Sequence, residues 1–248
     1  MAVKILDVPR RGLFVLLVLS GALAFADDKN AKAPTPGHGV IMLKAAWESG
    51  DLDAVVRRYA EPGASYIRSD LAAQRKVEQA RDDLGKAVRE KLGAGAEKAL
   101  LEPWPRRLTS PLVDASVVLC PNGERIKGDH ATTHFRVSPA PKDGDRTGGD
   151  RYFRFVHVRA SDGDWKIVLS TTDGVPLDAK ALEHVAAGSR AHEKAALALL
   201  ETARDVRSGN LSGKDAIRKK IEQIFADERR AIEGEQQVER RDEGHEND

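Results

Sequence analysis

One cysteine, two methionines and 5% aromatic residues are a thin supply for 248 positions. With Cys120 alone no intrachain disulfide can form and no paired-cysteine metal site exists. An excess of one charge sign is also missing. Forty basic side chains against 39 acidic ones leave +1, so no global field gathers nucleic acid or an anionic membrane. There is no phosphate-cradling glycine loop, dinucleotide-binding glycine pattern or Gly-x-Ser-x-Gly elbow, and the sequence implies no cofactor. The longest apolar run, Gly12 to Phe25, has 14 residues, short of the roughly 20 that cross a bilayer.

That run is nevertheless informative. It follows Lys4, Arg10 and Arg11 and precedes Ala24-Phe25-Ala26, the three-part pattern of a secretory signal peptide over residues 1–26. The expectation is an exported chain, periplasmic or secreted, with no stable membrane span after cleavage. Cleavage removes three basic side chains and one acidic one, moving the formal charge from +1 to −1. The remaining 222 residues can bury a real core, with roughly 70% of the unfolded surface removed from water. Cys120 lies in a strand-like run and is expected as a buried, inert thiol.

Residues 27–37 (DDKNAKAPTPG) are polar and proline-containing, the composition of a flexible leader. Val40, Leu43, Ala46 and Trp47 then recur at helical spacing. Gly50 stops that helix and Asp51 is placed to cap the next, which carries Val55, Val56 and Tyr59. Pro62-Gly63 ends it. Ser69 is the expected N-cap of a longer helix with an apolar stripe from Ala73 to Leu92. From Leu112 the period changes to two. Strands are expected near Val117–Cys120, with a turn at Pro121-Asn122-Gly123, then at 131–137, 152–160 and 165–171. The last two are joined by Ser161-Asp162-Gly163-Asp164, a strong hairpin signal. After Pro176 helices return, broken at Ser208-Gly209-Asn210. From Asp227 nine acids and four arginines form a solvated helix and tail.

Helices followed by an antiparallel sheet indicate an α+β fold. The expected architecture is N-terminal helices on a curved, mainly antiparallel sheet of about four strands, with a C-terminal helical extension. Against this background "AAWESGDLDAVVRRYAEPGAS", "GDHATTHFRV" and "SDGDWKIV" resemble, in that order, segments of the nuclear-transport-factor-2-like superfamily, which includes steroid-isomerase and polyketide-cyclase-like proteins. The resemblance covers about residues 38–172 and implies a cone domain over 38–176, a helical extension over 177–240 and a disordered tail over 241–248. The whole is similar to small exported bacterial proteins of unknown function. The first segment also resembles one tetratricopeptide helix pair, but no second copy follows at the required spacing.

The resemblance implies an apolar pocket in the cone, for which Trp47, Tyr59, His134, Phe153, Phe155 and His157 are the candidate lining residues. Strand alternation puts Phe153, Phe155 and His157 on one face, where burial would shift the His157 imidazole and make it a candidate base. His134, on the neighbouring strand, could face the same way. A proton-shuttling isomerase also needs a carboxylate opposite an oxyanion site, and Asp129, Asp162 and Asp164 all fall in turns. His130 and His134 share one side of a strand without an acidic partner, so no metal site is expected. Trp47, Trp104 and Trp165 are read as core between helices and sheet. The leading expectation is therefore a non-catalytic domain binding a small apolar ligand or a protein partner, with no nucleic acid. The alternatives are a pocket enzyme of isomerase or cyclase type using His157, and a homodimerisation module.

Overall fold

The computed structural model describes residues 33–104, 108, 110–138 and 149–242. The signal-peptide stretch, most of the leader, most of the 139–150 loop and residues 243–248 lie outside the described residues. The fold is α+β, in the order α1 (Pro36–Ser49), α2 (Leu52–Arg57), α3 (Gly63–Leu92), α4 (Ala94–Leu101), β1 (Ser116–Lys127), β2 (His130–Ser138), β3 (Arg151–Arg159), β4 (Trp165–Val168), α5 (Ala179–Ser208) and α6 (Lys214–Asp242). No described helix is long and apolar enough to cross a membrane. The described residues fall into two compact units, one from the spans 1–60 and 111–176 and the other from 61–110 and 177–248. This grouping differs from a single domain over 38–176, because α3 and α4 belong with the C-terminal helices.

The first unit is a sheet with helices on one face. Its strands form an antiparallel meander in the order β1-β2-β3-β4. Helix α1 starts where the Thr35 hydroxyl accepts the His38 N–H, and it stops at Gly50, whose φ of 70° is left-handed. Asp51 caps α2 by accepting the Ala54 N–H at 3.0 Å. Residues 58–60 then leave the helix and run along β4, with Ile167 N donating to the Arg58 carbonyl and Ala60 N to that of Ile167. Tyr59 thus sits in a bridge, not on a helix face. Ala33, within the stretch read as leader, is buried, and its N–H donates to Asp164 Oδ1 at 2.7 Å.

The expected turn at Pro121-Asn122-Gly123 is instead a bulge inside β1. Register shifts between Leu119 and Glu124 while the strand runs on to Lys127. Asn122 adopts φ 55°, and a Cβ on Gly123 would lie 2.7 Å from the Cys120 carbonyl and 2.8 Å from that of His134. Turn chemistry is spent on a local bend without ending the strand. The chain reverses at Gly128-Asp129, between the paired residues Lys127 and His130. Cys120 is a free thiol beside the bulge and is half-buried, not fully enclosed.

The second unit is helical. Helix α3 begins six residues before Ser69, because Glu61 Oε2 accepts the Ser65 N–H at 3.1 Å and the Ser65 hydroxyl at 2.7 Å. Its stripe of Val77, Ala80, Leu84, Ala87 and Val88 lies along α5 and shares one core cluster with Ala195, Leu199 and Ala203 of α5 and with Ile217 and Ile221 of α6, which itself packs on α5. Alanines at the α3–α5 contact let the backbones approach closely. Each fully buried Leu or Ile contributes about 1.5–3 kcal/mol. Trp104 stacks on Phe225, centroids 4.5 Å apart, so it fills the helical core and not that of the sheet. Trp165 does pack in the sheet core, with Ala33 and Ala131.

Candidate functional site

The face of the sheet that carries α1 is set by strand alternation. Leu119, Phe135 and Phe153 form one cross-strand row, Glu124, Thr133 and Phe155 the next, and Ile126, Ala131, His157 and Ile167 the third. His157 is completely enclosed. Its Nε2 lies 2.8 Å from the Thr133 hydroxyl, and its Nδ1 has no hydrogen-bond partner among the described residues. Burial lowers its pKa from 6.5 to about 4, so the ring is neutral at neutral pH. Phe135 meets Phe155 edge-on at 6.0 Å, and Phe153 stacks on Phe155 at 6.3 Å. Phe153 and Phe155 are half-buried, as is Trp47 on α1. Burial pushes the Tyr59 phenol up to about 12.

His134 does not join them. It pairs with Arg154 on the opposite face and is exposed. The parity of β2 decides this: Thr133 and Phe135 point inward, so their neighbour must point out. The structure adds a residue that the expected turn had hidden. Because β1 continues past the bulge, Glu124 is a strand carboxylate on the His157 face. Its Oε1 accepts the Gly37 N–H at 2.7 Å, in the first turn of α1, where the positive helix end favours it. Asp164 is similarly engaged, accepting from Ala33 and lying 2.7 Å from Lys166 Nζ and 3.4 Å from Arg58. Both carboxylates hold the fold. A general base works best with a pKa near the operating pH, and burial takes His157 well below it.

The helical unit holds two further features. His192 on α5 is buried between two carboxylates, with Nδ1 2.6 Å from Glu228 on α6 and Nε2 3.8 Å from Asp70 on α3. Burial pushes the Asp70 carboxyl up, offset in part by His192 and by hydrogen bonds from Gln74 and Ser189. Both ring nitrogens face acids, so neither is left to activate a nucleophile. The Ser189 hydroxyl itself donates to the Val185 carbonyl at 3.0 Å. The acids sit on opposite edges of the ring and cannot converge on an ion. Among the described residues no cluster of three or more His, Cys, Asp or Glu side chains is placed to hold a metal.

The second feature is a groove of about 340 Å³ between α3 and α5. Ala80 and Ala196 line it together with Leu197 and Leu200, which are 68% and 42% exposed. Lys76 and Glu193, paired at 2.6 Å across the helices, stand at its rim. The sequence shows Leu197 and Leu200 only as part of an apolar stretch. That they remain in solvent while Leu199 is buried follows from the packing of α5. No family model, curated protein or solved structure matches the chain.

Proposed function

We propose that the chain is a non-catalytic binding protein that associates with a protein partner through the α3–α5 groove, and that the partner is a second copy. The observation that carries this is Leu197, two-thirds exposed on a packed helix and next to a floor of alanines. The rim favours a like partner. Lys76 and Glu193 are opposite charges on facing helices, so a two-fold axis through the groove brings each sign opposite its complement. The acting form in this reading is the exported chain, supported by the signal-like first 26 residues. The sheet unit serves as a nuclear-transport-factor-2-like scaffold, a reading supported by α1 lying over a four-stranded meander. Sedimentation velocity from micromolar to several hundred micromolar tests it. The expected result is a dimer that Leu197→Glu returns to monomer. A wild-type monomer across the range contradicts it.

His157 favours a second reading, a small apolar ligand bearing one hydrogen-bonding group. A buried Nδ1 without a partner is a costly arrangement that such a group would relieve. Titration with an environment-sensitive apolar fluorophore tests this, with His157→Gln expected to weaken binding. Equal binding by the folded variant removes it. Turnover lost in the same variant would instead favour the isomerase-type alternative.

A further inference from the structure

The near-neutral total conceals how the charges of the sheet unit are sorted. Arg125 and Lys127 of β1, His134 and Arg136 of β2, and Arg154 of β3 point away from the His157 face, and all are exposed. His130 and Tyr152, also exposed, join them. No acidic residue occupies an outward position on the four strands. Asp150 approaches Arg136 at 3.8 Å and Asp173 feels the charge of Arg154, but both lie outside the strands.

Register gives this face a definite pattern. His134 is the direct cross-strand partner of Arg154, and Arg136 is that of Tyr152. Cross-strand partners stand about 5 Å apart and alternate residues of one strand about 7 Å apart. The four residues therefore form a rectangle of about 5 by 7 Å in which each ring-bearing residue has one arginine as its neighbour across the strands and one along its own strand. Tyr152 is 66% exposed at one corner.

We propose that this face binds single-stranded nucleic acid, with phosphates on Arg136 and Arg154 and bases stacked on His134 and Tyr152. A polyanion without bases, whether a lipid surface or an acidic polysaccharide, would engage the cations and leave the rings unused. Alternating rings and cations on an open sheet suit a strand whose unstacked bases lie flat while its backbone follows the positive charge. A neutral total removes long-range attraction but leaves local contacts intact, so binding is expected to be salt-sensitive and short-ranged.

Fluorescence anisotropy of labelled 15-nucleotide oligo-dT and oligo-U, titrated with the full chain at 50 and 150 mM salt, tests this. Wild type is expected to bind at least one of them, and more weakly at the higher salt. Each phosphate contact contributes about 0.7 to the slope of log affinity against log salt. Arg136→Ala with Arg154→Ala should therefore weaken binding at least tenfold and reduce the slope by about 1.4. Tyr152→Ala should weaken binding about fivefold to a hundredfold and leave the slope unchanged. Comparing the two oligonucleotides separates RNA from DNA. All three positions are exposed, and matching circular dichroism spectra establish that the variants fold. Three outcomes would overturn the proposal: no binding of either strand at 50 mM salt, oligonucleotide binding that the folded arginine variants leave intact, or oligonucleotide binding to which Tyr152→Ala is as indifferent as the binding of heparin, which has no bases to stack.

Discussion

Acid should destabilise the sheet unit through His157. The ring is held neutral in the folded state with a pKa of about 4, against 6.5 in the unfolded chain. The unfolded state therefore takes up the proton first as pH falls. A depressed folded-state pKa means that this stability is complete above pH 6.5 and is lost progressively toward pH 4. A shift of this size corresponds to about 3 kcal/mol over the whole window, of which about 2 kcal/mol is gone by pH 5. Carboxylates titrate in the same range, so the informative quantity is a difference. His157→Gln keeps a hydrogen-bonding group near Thr133 but cannot become a cation at this position. Hydrogen-exchange protection of β2 and β3 amides, measured for both proteins from pH 7.5 to 4.5, reports the sheet unit separately from the helices. Wild type should lose about 2 kcal/mol more than the variant between pH 7 and pH 5. Parallel curves would refute the reasoning, as would a directly observed His157 titration near 6.5.

Other perturbations follow from the same geometry. Glu228→Ala leaves His192 without the carboxylate 2.6 Å from Nδ1, and leaving a buried polar group without its hydrogen-bond partner costs about 1–3 kcal/mol; urea unfolding followed by tryptophan fluorescence should show the loss. Gly123→Ala forces a methyl against two carbonyl oxygens and should cost about 1–3 kcal/mol, read as lowered protection of β1 amides. Leu197→Glu should abolish self-association while leaving the melting temperature within a few degrees, since the residue is already in solvent.

The residues differ in how far their own sequence exposes them. Gly50 and Asp51 were readable because a helix stop and an N-cap are local chemistry, complete within four residues. The hairpin at 161–164 was readable for the same reason. Pro121-Asn122-Gly123 misled because the same φ-positive bend ends a strand or bulges it, and only pairing across β1 and β2 decides which. That single choice hid Glu124 and left the outward charges of β1 unassigned. The stripe on α3 showed that the helix is buried on one side but not against what. Its partner α5 starts at Ala179, 87 residues after α3 ends at Leu92, and no spacing rule links Asp70, His192 and Glu228. A histidine flanked by Ala191 and Ala195 on an apolar stripe was the one available hint. The side taken by His134 is fixed by parity with Thr133 and Phe135 on its own strand, and whether it matches His157 across strands is visible only once the register is known.

The most direct measurement of the central claim is a concentration series of methyl NMR spectra on the wild-type chain. If a second copy docks in the α3–α5 groove, the methyl signals of Ala80, Ala196, Leu197 and Leu200 shift together from micromolar to millimolar concentration, while those of Leu84 and Leu199 stay fixed. Invariant groove methyls at millimolar concentration, or shifts confined to other surfaces, would contradict it.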